Sequence, residues 1–326
     1  MDQSFKIAGI DIQLCGSDLL SIMSGYEKQV LKPFSVRAPS KKIYFRVNAR
    51  FAAARTNKKN SKTLLEKIRS DFSDRIFAGV KKSALGFFKE QWLRSLDARV
   101  NKNCEVIMTP YSFFIFDKKL WRCDIFLKKD KILSQKRVNP AYMPGLIILK
   151  LLFRLILNSE NNGILLHASS AENNGYGYVF IGPSGYGKST VVKMLGPGRG
   201  LSDETSIIKN IGKRYVVFTS PWWNKDSRPS IRNPQKGLPL KAIFFIERAD
   251  KTGIKKMGYK EALAELIYRD NPFQQLRFFD NKSGIRNFYL FAQNIIRDIP
   301  VFKLSIKKHK EFKKEFKGLL REFNLE

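Results

Sequence analysis

The chain has 326 residues, 43% of them hydrophobic and 13% aromatic, which supplies a substantial core and excludes disorder over the whole length. Lys and Arg number 60 against 29 Asp and Glu, a formal net charge of +31. Such a surface attracts polyanions (nucleotides, nucleic acid or an acidic protein), unless it is the solvated Lys-rich exterior that an AT-rich genome encodes.

Cys15, Cys104 and Cys123 are scattered and odd in number, so they form neither a CxxC pair nor a disulfide framework, and with two histidines no metal-ligand cluster is spelled out. Residues 1–6 lack the apolar run of a signal peptide. Together these features lead to the expectation of a reducing, cytoplasmic setting.

In chain order, residues 5–14 alternate as a strand. Phe5 and Ile7 stand in one phase and Ile10, Ile12 and Leu14 in the other, with the slip at Gly9 read as a bulge. Residues 43–47 are a second strand. The basic stretch 52–62 reads as a loop, and residues 63–100 carry a helical pattern. Residues 105–108, 112–116 and 121–127 alternate as three strands of a meander, with a turn at 117–119. Pro140 and Pro144 precede an apolar helix over 146–157, whose Lys150 and Arg154 share one face. It is too short to span a bilayer. A buried helix is the default reading and a membrane-surface helix the alternative. The soft boundary near residue 140 divides an N-terminal α+β region, 1–140, from a second region, 141–326.

The second region opens on the sequence's most specific motif. Gly182, Gly187, Lys188 and Ser189 fit G-x-x-x-x-G-K-[ST], between an apolar strand at 179–181 and a helix that starts near Ser189. Glycines let backbone amides converge on phosphate oxygens. An ammonium at Lys188 suits β and γ phosphates, a Ser189 hydroxyl suits Mg²⁺, and a helix adds its positive end. The nucleotide contacts expected are therefore Gly182, Pro183, Ser184, Gly185, Tyr186, Gly187, Lys188, Ser189 and Thr190, with ATP and Mg²⁺ as cofactors.

Gly196, Pro197 and Gly198 stop the helix after Leu195. Asp203 and Glu204 follow, and then a hairpin over 205–209 and 214–219, turned at 210–213. An antiparallel pair directly after the loop-helix predicts a mixed sheet, hence an α/β (mixed α+β) fold rather than an all-parallel one. Residues 224–241 form a basic loop in which Arg228, Arg232 and Lys236 are candidates for a phosphate or an acidic substrate, or are simply exposed. Trp222 and Trp223 are read as core, with the lining of a pocket as the alternative. Residues 312–323 end the chain as an amphipathic helix, docked on the domain or, alternatively, a basic nucleic-acid arm.

The segments at 165–169, 178–190 and 201–204, with 238–245, resemble the catalytic domain of HPr kinase/phosphorylase-type serine kinases, over roughly residues 146–305. That group shares a core with phosphoenolpyruvate carboxykinases. The resemblance implies a mixed-sheet core with a phosphate-binding P-loop, and an ATP-binding catalytic domain in residues 141–326. It implies an active-site histidine at His167, phosphate and metal contacts at Lys188 and Ser189, and an acid/base carboxylate at Asp203. Glu204 stands where the family has a second Asp, so the implied metal set is Ser189, Asp203 and Glu204. The implied activity is transfer of the γ-phosphate of ATP to a hydroxyl of a protein, a peptide or a small molecule. The segment peculiar to true HPr kinases is absent, which argues against HPr itself. A nucleotide-binding regulatory protein with a basic, polyanion-binding surface is the alternative.

Overall fold

The computed structural model describes residues 3–15, 21, 23, 25–36, 44–51, 104–108, 112–117, 119–127, 144–223, 233–270, 282–307 and 312–325. The expected loop at 52–62, the helical pattern at 63–100, the boundary near residue 140, and Arg228 and Arg232 lie outside them.

Residues 3–15 form two strands, β1 (Gln3–Ile7) and β2 (Ile10–Cys15), paired antiparallel with Ile7 opposite Ile10 and Phe5 opposite Ile12. This corrects the single bulged strand. Ala8 and Gly9 both have positive φ, 51° and 76°, the signature of a two-residue hairpin turn. The phase slip has a simple cause: across a hairpin, odd positions on one strand face even positions on the other, so all five apolar residues share one buried face.

α1 (Gly25–Leu31) and a short strand β3 (Ser35–Val36) follow, then β4 (Tyr44–Phe51). The expected meander is present as β5 (Cys104–Met108), β6 (Ser112–Asp117) and β7 (Arg122–Leu127). These seven strands form one sheet, in the order β3-β1-β2-β4-β7-β6-β5.

The apolar helix is α2 (Pro144–Glu160), with its proline at the first helical position, where no backbone donor is lost. Its Leu149, Leu152, Phe153 and Ile156 are fully buried, in one cluster with Ile7 and Ile12 of the first sheet and Leu165 and Ile207 of the second. Trp222 joins that cluster and donates from its indole nitrogen to the Leu146 carbonyl at 2.9 Å, so it is core, as is Trp223. No helix among the described residues is long and apolar enough to cross a membrane.

Glu27 of α1 is fully buried, and its Oε1 accepts from the amides of Gly145 and Leu146 at 2.8 and 3.1 Å. It thus caps the start of α2 with a charge where the helix end is positive. Glu27→Gln places an amide donor in this buried cap, and we expect it to cost about 1–3 kcal/mol of stability in urea unfolding.

The second sheet has nine strands. They are β8 (Gly163–Leu166), β9 (Ala168–Asn173), β10 (Tyr176–Ile181), β11 (Gly200–Ser202), β12 (Ser206–Ile211), β13 (Arg214–Phe218), β14 (Gly237–Arg248), β15 (Gly253–Lys256) and β16 (Val301–Ile306). The sheet is mixed, as expected: β10 runs parallel to β14 and antiparallel to β9, and β12 and β13 are the predicted hairpin. Along its twelve residues β14 meets β13 through 237–239, β10 through 240–245 and β16 through 243–248, so the sheet curls.

Both faces of this sheet are covered. Alternate residues of β10, Tyr178 and Phe180 against Val179 and Ile181, fall in different clusters. The first pair packs with α3 (Lys188–Leu195) and α6 (Phe312–Glu322), the second with α4 (Tyr259–Asp270) and α5 (Lys282–Asp298). Phe312, Phe316 and Leu320 of α6 are fully buried, so the C-terminal helix is docked rather than a free arm.

Candidate functional site

The site lies beyond the carboxyl end of β10, the end at which open sheets with helical crossovers bind ligands. Gly182 sits flush against β14: a Cβ there would lie 3.3 Å from the Ile246 carbonyl. The chain then turns over Pro183 to Tyr186, closed by a hydrogen bond from the Tyr186 amide to the Pro183 carbonyl at 3.3 Å. Gly185 has φ +80°, as the third residue of such a turn requires, and Gly187 has φ +104° where α3 begins. The first bond of α3, from the Val191 amide to the Gly187 carbonyl, is 2.9 Å.

Lys188 is the first residue of α3 and is only 7% exposed. Its Nζ donates back to the carbonyls of Gly182 at 2.7 Å and Pro183 at 3.2 Å. Burial pushes the ammonium below its ordinary pKa, and Glu204 and then Asp203 restore part of the loss. Both carboxylates therefore act electrostatically on the same cation, although neither forms an ion pair with it. Adjacent positions of a regular strand point to opposite faces, but β11 ends at Ser202 and residues 203 and 204 form a bend, so that alternation does not apply to them.

Asp203 is 3% exposed. Ser169 Oγ lies 2.7 Å from its backbone carbonyl and 3.0 Å from its Oδ1, while Oδ2 is buried without a hydrogen-bond partner. A chain of buried serines braces this corner. Ser206 donates to the Ala168 carbonyl at 3.1 Å, so Ser202 must donate to Ser206 at 2.6 Å and Ser170 to Ser202 at 2.7 Å, since each hydroxyl has one proton. The strands that present His167 and Asp203 are thereby locked together.

Glu204 is half-buried and pairs with His167, Oε1 to Nδ1 at 3.2 Å. Partial burial raises its carboxyl, but the hydrogen bond and electrostatic pull of His167, then Lys150 and Lys188, outweigh this and hold it below its ordinary value. A carboxyl depressed in the folded state stabilises above its unfolded pKa and loses that contribution as pH falls through the folded value. Thermal melts from pH 6 to 3 should therefore show the parent losing more stability than Glu204→Gln at the acid end.

The site thus gathers His167, Lys188, Asp203 and Glu204, with Ser189 and Thr190 half-buried in the first turn of α3. Lys236 is not among them. Its ammonium pairs with Glu172, opposite Gly177, whereas Ala168 is opposite Ile181 at the loop end. Four residues of strand place that pair about 13 Å from the loop end. Three residues without a role in the sequence reading do contribute. Lys150 of α2 acts on Glu204, Ser169 holds Asp203, and Arg248 at the end of β14 donates to the Gly185 carbonyl. Arg248 was within reach: a strand parallel to β10 must end beside the loop.

No curated protein matches the chain. Among solved structures, the Hpr(Ser) kinase/phosphatase from Coxiella burnetii shows a weak similarity. The identity is 12%, with 50% of this chain and 91% of that chain covered, at a TM-score of 0.27. The family model for SynChlorMet cassette protein ScmC matches residues 140–321, more than half of the chain. The chain belongs to the ScmC family of SynChlorMet cassette proteins.

Proposed function

We propose that this chain is an ATP-dependent phosphotransferase, with residues 141–326 as its catalytic unit around a phosphoenolpyruvate carboxykinase/HPr-kinase-like core. One observation carries the reading. A buried carboxylate, Asp203, has one oxygen tied to Ser169 and the other without a partner, and its charge acts on the lysine of a glycine-rich loop. Buried carboxylate oxygens are mostly satisfied; one left open in the field of an ammonium is suited to a reacting proton or a metal.

Residues 182–190 cradle the triphosphate, with loop amides and the start of α3 directed at it. Lys188 exchanges its two carbonyl partners for phosphate oxygens. The residues present fit an Mg²⁺ ion: Ser189 Oγ and the Glu204 carboxylate, held ionised, are hard donors, which leaves the open Asp203 oxygen for the proton, and such ions need few protein ligands when phosphates complete the shell. Bound there, the ion would neutralise charge on the β and γ phosphates. The acceptor oxygen attacks the γ phosphorus, the bond to the β–γ bridging oxygen breaks, ADP departs, and the acceptor's proton passes to Asp203. His167 orients Glu204 and keeps it anionic.

The test is transfer of label from γ-labelled ATP to cell extract, peptides and small hydroxylated compounds, comparing the parent with Asp203→Asn. Label that depends on Asp203 supports the proposal. ATP binding with no such label in any acceptor sinks it, in favour of a nucleotide-regulated protein that binds polyanions through its basic surface.

A further inference from the structure

We infer that Arg248 is a triphosphate ligand, a second cation that closes on the polyphosphate from the β14 side; this rests on the nucleotide reading of the 182–189 loop. Parallel pairing puts Ile181 opposite Phe245, and Gly182 packs on Ile246. Arg248, two residues further, is therefore level with the turn at 184–185. Its Nη2 donates to the Gly185 carbonyl, and its guanidinium lies 5.6 Å from the centre of the Tyr186 ring. It is exposed, and no carboxylate lies within ion-pair distance of it among the described residues, although Glu247 and Asp250 flank it closely in sequence.

This is an unusual position for a structural arginine. Its anchors are a neutral carbonyl and the face of an aromatic ring, both weaker partners than an anion. Lys188 likewise donates to carbonyls of this loop, those of Gly182 and Pro183. Two cations thus rest on carbonyls of one loop. Phosphate oxygens offer both of them charged acceptors, and the guanidinium fork can engage two at once, which a lysine cannot. Tyr186 holds the side chain over the loop and lowers the entropy lost on engagement.

The experiment is calorimetric titration of the full chain with Mg-ATP and Mg-tripolyphosphate, using the parent, Arg248→Ala, Arg248→Lys and Lys188→Ala. Arg248→Ala should weaken both ligands by the same factor, about tenfold or more, with Arg248→Lys recovering only part. Circular dichroism should show both Arg248 variants folded, as expected for an exposed side chain. If Arg248→Ala binds both ligands within about twofold of the parent while Lys188→Ala loses them, the inference is wrong and the nucleotide reading stands. A loss for ATP that disappears with tripolyphosphate also overturns it, by moving the contact to the nucleoside. If the parent binds neither ligand, both claims fall.

Discussion

Exchange of Asp203 for Asn should slow phosphotransfer by roughly 10²- to 10⁴-fold while Mg-ATP affinity stays within about tenfold of the parent. The substitution is close to isosteric, and the amide oxygen can still accept from Ser169 Oγ, the bond that holds this side chain at 3.0 Å. What disappears is the basic oxygen now buried without a partner. Lys188 also loses one of the two carboxylates that raise its pKa, but Glu204 remains. On the proposed reading nucleotide binding relies on the loop, so it should survive better than chemistry. Calorimetry and single-turnover transfer separate the two quantities. A variant that transfers phosphate at the parental rate would remove Asp203 from the mechanism.

Lys188→Met should lower Mg-ATP affinity by at least about 10²-fold and leave the ligand-free protein as stable as the parent or more so at neutral pH. The two effects share one cause. A buried ammonium whose pKa is lowered by desolvation binds its proton less tightly folded than unfolded. Between the folded value and the ordinary 10.5 the unfolded chain holds more protons, so stability rises with pH in that window. The buried cation costs stability in the free protein, which the proposed binding would turn to use, and methionine removes both. Lys209, also lowered by burial, should leave a residual rise in the variant, so the readout is the difference between two stability–pH curves. A variant that keeps parental affinity would show that Lys188 does not meet the triphosphate.

How much of this was legible beforehand depended on how local the constraint was. The loop from Gly182 to Ser189 was, because its glycines, the strand before it and the helix after it are neighbours in the chain, and Gly196 ends that helix where expected. The β12–β13 hairpin and the β5–β6–β7 meander were legible for the same reason. At Ala8 and Gly9 the sequence was ambiguous: a reversal of apolar phase is what a bulge and a tight turn both produce, and pairing Phe5 with Ile12 distinguishes them. The Asn174–Gly175 turn joining β9 to β10 was a signal present and not used.

By itself, then, the sequence determined a basic, mixed-sheet protein with a phosphate-loop signature and an acidic pair after it. Tertiary structure alone decided what surrounds that loop. Parallel register brings Arg248 to Gly185, antiparallel register carries Lys236 away to Glu172, and the position of α2 puts the charge of Lys150 in the field of Glu204. A bend after Ser202 sets Asp203 against Ser169 and leaves Glu204 to His167. Turns and caps are chosen by the few residues within them, whereas the convergence of distant side chains follows from strand order and register, which belong to the whole sheet.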